Sequence, residues 1–400
     1  MRTVFSGGKV FDGSGADIAT ADVVIEDGRI VDVGPGLDGD EQVDATGKTL
    51  LPGLFDCHVH PLMSHLDLMR NFQTPFSYKY YACARNLETI LRLGITTVRD
   101  AGGSDLGIKQ AVQEGLINGP RMQISIVMLS QTGGHGDSWM PCGAHISART
   151  VDPGRPNHIV DGPDEMRKKV RELVRMGADV IKVAVSGGVL SPRDKPTHAH
   201  FRPIELEVLV EEATAAGVFV MSHAQATDGI KNAIRAGVRS IDHGIYLDDE
   251  AIDLMIERGT WLVPTLLAPR GVIAAAEAGV ALTDAAVQKA HEVIDVHTES
   301  FRRAVEAGVK VAMGTDCPVS PHGTNLGELE LMSKLSDMSP LDSLVATTSS
   351  AAELMGLSDE LGTLEAGKRA DVVVVDGDPL DLVTLSDRIE QVWKDGARVV

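Results

Sequence analysis

Six residues of metal-ligand type stand where apolar runs end: His58 and His60 in LFDCHVH, Lys182 in VIKVAV, His223 in FVMSHA, His243 in SIDHG and Asp316 in AMGTD. His58 and His60 are two apart, so on a strand both imidazoles point to one face and can share a metal ion. Lys182 interrupts an apolar strand, where a bare ammonium is expensive to desolvate. Burial lowers a lysine pKa and favours the neutral amine. A neutral amine can take up CO2 as a carbamate, an anionic ligand with two oxygens that can bridge two divalent ions. A pair with a carboxylate such as Asp100 or Asp316, and a Schiff base, are the other uses of such a lysine. The HxH pair, two further histidines and an aspartate around it favour the bridge. Two ions about 3.5–4 Å apart pull the pKa of a shared water toward neutrality. The resulting hydroxide would attack a carbonyl, with Asp316 taking its proton and passing it to the leaving amine. Taken singly, each residue has a plainer reading: an incidental HxH, a satisfied core histidine, a turn aspartate before Pro318. Their coincidence at one level of the fold is what points to chemistry.

A repeated unit would create that level. A helical stretch ends, a glycine follows and a β-branched run begins, at RLGITTV (Gly94), RMGADVIKV (Gly177), AAGVFVMSHA (Gly217), RAGVRSIDHG (Gly237), ERGTWLVP (Gly259) and EAGVKVAMGTD (Gly308). Glycine suits the residue past a helix end because it enters the left-handed region without a Cβ penalty. From four of these glycines the candidate ligands lie five, six, six and eight residues on (182−177, 223−217, 243−237, 316−308). The strands are apolar on both faces, as parallel strands covered by helices must be. Ile252, Met255 and Ile256 fall at helical spacing with Asp253 and Glu257 facing away, and Thr227 and Asp228 are placed to cap the helix carrying Ile230 and Ile234. With strands at Leu54–Val59 and Met122–Val127 the count reaches eight. The expected fold is therefore α/β: a (β/α)8 barrel over residues 51–355, whose functional groups sit at the carboxyl ends of the strands. An open doubly wound sheet is the alternative, but the phosphate fingerprint GxGxxG is absent after any early strand.

The chain ends read differently. VVIEDGRIVDV (23–33) and IEQVWKDGARVV (389–400) are hairpin patterns around Asp27-Gly28 and Asp395-Gly396, and the run Asp371–Val375 reads as a buried strand. Neither end can close a core alone. Residues 1–50 and 356–400 are expected to pair into one small β-sandwich domain, with two separate edge hairpins as the alternative.

Composition bounds the function. The 400 residues are 43% apolar, and 37 basic against 57 acidic side chains give a net charge of −20. That balance argues against a nucleic-acid partner. No membrane span is expected, since no apolar run reaches the required length, about 18 residues. The N-terminus, MRTVFSGGKVFDGSG, lacks the apolar core of a signal peptide. Cys57, Cys83, Cys142 and Cys317 form no CxxC and read as reduced thiols of a cytoplasmic protein. A homo-oligomer is compatible with all of this.

GLFDCHVHP, VIKVAVSGG, SHA, DHG and GTD, in this order, resemble the metal-dependent amidohydrolase superfamily. The resemblance covers nearly the whole chain, including GTLEAGKRADVVVVDGDP near its end. It implies a binuclear centre in which His58, His60 and Asp316 hold the buried ion, His223 and His243 the exposed one, and carboxylated Lys182 bridges. Zinc suits such histidine-rich sites, as do cobalt, nickel and manganese. Lysine at this strand argues against the mononuclear deaminases of the superfamily. TTVRDAGG, QTGGHGD, KVAVSGGVLSPRD and DHGIYLDDE further resemble the imidazolonepropionase-like branch, which includes Xaa-Pro dipeptidases. That resemblance implies that His135 contacts substrate and that Tyr246 polarises the scissile carbonyl. The Gly-rich loop around His135 would also let a ligand approach closely.

The expected function is hydrolysis of an amide bond, of a dipeptide such as Xaa-Pro, by a metal-bridging hydroxide. The alternative substrates are a small aryl amide, urea, carbamate or cyclic amide. A non-catalytic binding barrel is the reading from another class. It predicts loss of ligand types, and all six are intact. His198 and His200 form a second HxH outside a clear strand and are expected to border the pocket. Phe72, Phe76, Tyr78, Tyr80 and Tyr81 are expected to wall the pocket, a subunit contact or a helix core. Cys317 reads as a small buried residue, not a nucleophile.

Overall fold

The computed structural model describes residues 1–67, 70, 73–139, 142–143, 152–191 and 193–400, so Phe72 lies outside the described residues. The first strands are β1 (Thr3–Ser6), β2 (Lys9–Val10), β3 (Ala19–Thr20), β4 (Asp22–Glu26), β5 (Arg29–Gly34), β6 (Glu41–Asp44) and β7 (Lys48–Pro52). The central strands are β8 (Leu54–Val59), β9 (Ile95–Asp100), β10 (Arg121–Ile124), β11 (Met128–Leu129), β12 (Val180–Ala184), β13 (Phe219–Ala224), β14 (Ser240–His243) and β15 (Trp261–Val263). The chain closes with β16 (Val372–Asp376), β17 (Ile389–Lys394) and β18 (Ala397–Arg398).

Both Asp-Gly pairs turn hairpins. Asp27 and Gly28 have φ of 48° and 78° between β4 and β5, and Asp395 and Gly396 have 52° and 77° between β17 and β18. Positive φ at both turn residues matches the twist of the flanking strands. The two chain ends pair: β7 runs antiparallel to β16, from Lys48 opposite Asp376 to Pro52 opposite Val372. The two hairpins themselves lie at the edges of different sheets, β5-β4 in one and β18-β17 in the other. The sheets β5-β4-β1-β6 and β18-β17-β16-β7-β2-β3 share one apolar cluster. Phe5, Val23, Ile25 and Ile30 come from the first, and Val10, Leu50, Val372 and Val374 from the second.

The central strands form two parallel sheets, β10-β9-β8 and β11-β12-β13-β14-β15. Hydrogen bonds join the sheets at both margins. The Asp179 amide, just before β12, donates to the Ile124 carbonyl at 2.8 Å. Across the other margin, Leu262 donates to Lys310 (2.8 Å), Ala312 to Leu262 (3.0 Å) and Cys57 to Met313 (2.9 Å). The strand expected in VAMGTD thus contributes isolated bridges, Leu262 with Val311 and Val59 with Cys317, rather than a continuous ladder. Of the strand expected at Met122–Val127 only Met122–Ile124 is formed, in β10; Ile126 takes a φ of 67° and β11 begins beyond it at Met128.

All six repeat glycines follow a helix and take φ between 65° and 98°. The helices Tyr78–Arg92, Pro163–Arg175, Pro203–Ala215 and Thr227–Ala236 bury Leu87, Leu173, Leu209 and Ile230 against Val98, Ile181, Val183 and Ile241. Each such side chain contributes roughly 1.5–3 kcal/mol when fully buried. Two local expectations are corrected. Ile256 is exposed while Ile252 and Met255 are buried, because the inner stripe of Asp249–Arg258 is narrower than its apolar pattern. Thr227 opens its helix without capping it, and its hydroxyl donates instead to the Tyr246 carbonyl at 2.7 Å. Among the described residues no helix is long and apolar enough to cross a membrane, and all four cysteines are free thiols.

Candidate metal centre

The HxH strand and the GTD turn are tied together from beneath. Buried Asp56 accepts from the His58 amide (3.1 Å), the Thr315 amide (3.2 Å), the Thr315 hydroxyl (2.7 Å) and Asn325 (2.9 Å). The His58 carbonyl accepts in turn from the amides of Thr315 (3.1 Å) and Asp316 (2.7 Å). These bonds hold Asp316 at a φ of 60°. His243 sits at 76°, with its carbonyl taken by His297 Nε2 at 3.0 Å. Two non-glycine residues in the left-handed region at one site are strain that surrounding contacts must sustain, a common mark of functional positions.

Gly314 allows this approach. A Cβ there would lie 2.4 Å from Val263 Cγ1 and 2.9 Å from both the Cβ and the amide nitrogen of His58. Gly314→Ala is expected to cost about 1–3 kcal/mol through overpacking and to displace His58. Thermal unfolding and metal content measured together test this, and a variant unchanged in both would contradict it.

The donor atoms converge. One ligand atom from each of His58, His60 and Asp316 lies within 4.8 Å of the other two, so this group could hold a metal ion. Asp316 Oδ1 is 3.1 Å from His60 Nε2 and 3.4 Å from His58 Nε2. The other nitrogen of each ring is committed. His60 Nδ1 donates to the Gly102 carbonyl at 2.8 Å, and His58 Nδ1 to the Asp242 carboxylate at 2.9 Å. In neutral rings two lone pairs therefore face a carboxylate oxygen, and such an arrangement needs a cation between them, a proton or a metal ion. The electrostatics agree. Burial pulls the His60 pKa down, but the Asp316 carboxylate, together with Asp100 and the bond to the Gly102 carbonyl, more than offsets it and the net shift is upward. Burial alone would raise Asp316, yet the two imidazoles hold it well below the usual carboxylate range.

His243 and His223 extend the set. Ring centroids run from His60 to His58 (5.4 Å), His58 to His243 (5.0 Å), His243 to His223 (4.5 Å) and His223 to His135 (4.2 Å, stacked). His243 Nδ1 donates to Thr265 Oγ1 at 2.7 Å, whose own proton goes to the Pro264 carbonyl at 2.6 Å. His223 Nε2 donates to the Gly187 carbonyl at 3.2 Å. Nε2 of His243 and Nδ1 of His223 are thus left as lone pairs. Burial, then neighbouring positive groups, push both rings well below the ordinary histidine pKa, which keeps them neutral as ligands must be.

Lys182 is 1% exposed and donates to Asp242 Oδ2 at 2.9 Å. Its carboxylate partner is Asp242, not Asp100 or Asp316. Asp100 is occupied by the Gly102 amide and the Ser104 hydroxyl, both at 2.8 Å. Asp242 also takes Arg99 Nη2 at 3.3 Å and the Ser240 hydroxyl at 2.8 Å. Arg99 and Asp242 were not among the sequence candidates. The signal that singles out Lys182, a charge inside an apolar strand, is present equally in ITTVRD and SIDH.

A cavity of about 240 Å³ is lined by His58, His60, Lys182, His223, His243, Asp316 and His135. Tyr246 is not among its lining residues. It packs beside the wall with Ile245, Val189 and Ala268. His198 and His200 do not line it either: His200 is buried and His198 exposed on the loop beyond Ser186. Phe76 and Tyr78 line a neighbouring hollow and Tyr81 is 75% exposed, while Tyr80 packs against the main apolar core, so of these rings Tyr80 joins a helix core. Cys317 is fully buried, and burial raises its thiol pKa well above the ordinary value, which makes a nucleophilic role untenable.

A sequence profile of the amidohydrolase family matches residues 49–399. Ochratoxinase of Aspergillus niger is 34% identical over 417 residues, covering 98% of this chain and 86% of the relative. A solved Xaa-Pro dipeptidase with bound methionine superposes with a TM-score of 0.90 at 32% identity, covering 100% of this chain and 99% of the other. A prolidase complexed with N-methylphosphonate-L-proline gives a TM-score of 0.92 at 36% identity, with the same coverage.

Proposed function

The chain belongs to the amidohydrolase family, hydrolases of C–N bonds, and from that premise we propose that it is a binuclear metal-dependent hydrolase cleaving the amide bond of a dipeptide, Xaa-Pro foremost. The observation that carries this reading is the meeting of two imidazole lone pairs and the Asp316 carboxylate beside two further neutral histidines. The eight strand positions would close as a barrel over residues 51–355, with residues 1–50 and 356–400 as a composite β-sandwich. His58, His60 and Asp316 would hold one divalent ion, His223 and His243 a second, with carboxylated Lys182 between them and zinc as the favoured metal. Two ions bound there would acidify a water and polarise the scissile carbonyl. Asp316, an anion in the resting site, is placed to hold a proton at Oδ and give it to the leaving amine. His135, stacked on His223, would contact the substrate. Tyr246 is the second proposed contact, one residue beyond the cavity-lining Ile245.

One observation favours a second reading, a small aryl amide, urea or carbamate. The cavity wall is largely apolar (Met63, Met128, Val189, Leu190, Val272), and its one ammonium, Lys182, is spent on Asp242. Ochratoxinase, by its name, acts on ochratoxin. A panel of Xaa-Pro dipeptides against N-aryl amides, run on protein of measured metal content, separates the readings. Dipeptide turnover with about two ions per chain is expected. Rapid release of aryl amines with every dipeptide inert would install the second reading.

A further inference from the structure

The metal cavity shares His60, Met63 and Met128 with a neighbouring hollow of about 750 Å³. The lining of that hollow also includes Lys79, Phe76 and Arg155. Both cations meet Asp152. Asp152, whose side chain is 6% exposed, accepts from Lys79 Nζ at 2.9 Å and from Arg155 Nε at 2.8 Å. With Asp105 as a second carboxylate acting on Lys79, the charges of this cluster balance, and what it leaves over is hydrogen-bonding capacity. Asp105, also close by, is engaged as a helix cap, accepting from the Ile108 amide at 3.0 Å. Arg155 spends only its Nε on Asp152. Its two terminal nitrogens have no hydrogen-bond partner among the described residues, and its side chain is 31% exposed. Lys79 Nζ lies 4.0 Å from the centroid of the Phe76 ring, with donors to spare. A guanidinium fork with free terminal nitrogens matches a carboxylate in charge and in bidentate geometry.

We propose that this hollow is a carboxylate subsite, in which Arg155 and Lys79 hold the free carboxylate of an amide whose scissile bond lies at His58, His60 and Asp316. The proposal rests on the hydrolase reading above and deepens it. Among the described residues the metal cavity is lined by no Lys or Arg besides Lys182, which is paired with Asp242, whereas Arg155 in the adjoining hollow keeps two nitrogens without a described partner. The substrate class is then amides bearing a carboxylate, and neutral ureas and carbamates would leave the fork unpaired. The carboxylate can sit on the amine side of the bond, as in a dipeptide, or on the acyl side, as in a succinyl anilide.

The test is a binding comparison that needs no turnover. N-Methylphosphonate-L-proline and its carboxamide are titrated into wild type, R155Q and K79M, with metal content and thermal unfolding recorded for each protein. Wild type is expected to prefer the carboxylate by about 10–100-fold, as a charge-assisted hydrogen-bonded pair warrants. R155Q should lose most of that preference and K79M part of it. A wild type that binds both ligands alike, or an R155Q protein that keeps the full preference, overturns the subsite. Turnover of a dipeptide against a succinyl anilide then identifies the side on which the carboxylate lies. Failure of every amide to react would remove the hydrolase reading, and the binding comparison would still decide the subsite.

Discussion

Lys182→Ala is expected to bind fewer than two divalent ions and to turn over an amide at least about 10³-fold more slowly, since a bridging metal ligand supports several kcal/mol of transition-state charge stabilisation. Lys182 sits in β12, all five residues of which are buried. Burial pulls its pKa down, the Asp242 charge pulls it back up, and the net direction is downward. A lysine of lowered pKa spends more time as the amine, the form that takes up CO2. The resulting carbamate exchanges an expensive buried cation for an anion with two donor oxygens. Alanine removes that anion and enlarges the cavity that Lys182 lines together with His58 and His243. A short carboxylic acid such as acetate or propionate fits the added space and carries two oxygens, so millimolar additions should restore part of the lost rate. Elemental analysis of the purified variant and its turnover with and without acid form the test. Full metal and full turnover in the absence of acid would remove the bridging role of Lys182.

The features legible in the sequence are those fixed by local conformation or by strand period. Asp27-Gly28 and Asp395-Gly396 demand positive φ within two residues, and both turn hairpins. The six repeat glycines mark helix ends for the same reason. His58 and His60 share a face because strand side chains alternate. What was not legible depends on partners far along the chain. Lys182 meets Asp242 sixty residues on, and His58 meets the same carboxylate from 184 residues away. Nothing local distinguishes Asp242 from Asp100 as that partner. The choice is made by parallel registry, which sets Lys182 beside Met221 and His223 beside Asp242. Tyr246 shows the complementary limit. A motif names the residue, but whether its ring enters the cavity or joins Val189 and Ala268 beside it is a packing outcome. The Lys79–Asp152–Arg155 cluster links the first turn of the helix Tyr78–Arg92 to a loop 73 residues on, with no periodicity to announce it.

Asp242→Asn is expected to destabilise the fold by about 3–5 kcal/mol, the usual cost of removing one partner from a buried ionic network, and to weaken metal binding by about 10–100-fold. One fully buried carboxylate ties four central strands. It takes His58 from β8, Arg99 from β9, Lys182 from β12 and Ser240 from its own β14. Asparagine keeps the shape but supplies one acceptor oxygen and one donor amine. Whichever way the amide turns, its N–H₂ meets donors, either His58 with Lys182 or Arg99 with Ser240. The lost charge also leaves Arg99, and Lys182 wherever it is an uncarboxylated ammonium, buried without a counter-anion, and His58 loses the bond that aims its Nε2 at Asp316. The dependence on pH has a definite sign. Burial would raise the Asp242 pKa, but Lys182 and Arg99, with the His58 hydrogen bond, hold it far below the usual carboxylate range. A carboxylate with a depressed folded pKa contributes stability above its unfolded pKa, about 3.9, and loses it only as pH falls through the lower folded value. Between pH 5 and pH 8 this contribution is therefore flat. Urea unfolding of wild type and D242N at pH 5, 6.5 and 8 should give one constant offset. An offset that vanished toward pH 5 would mean that Asp242 is already protonated there, and that its pairing with Lys182 and Arg99 is not what holds the four strands together.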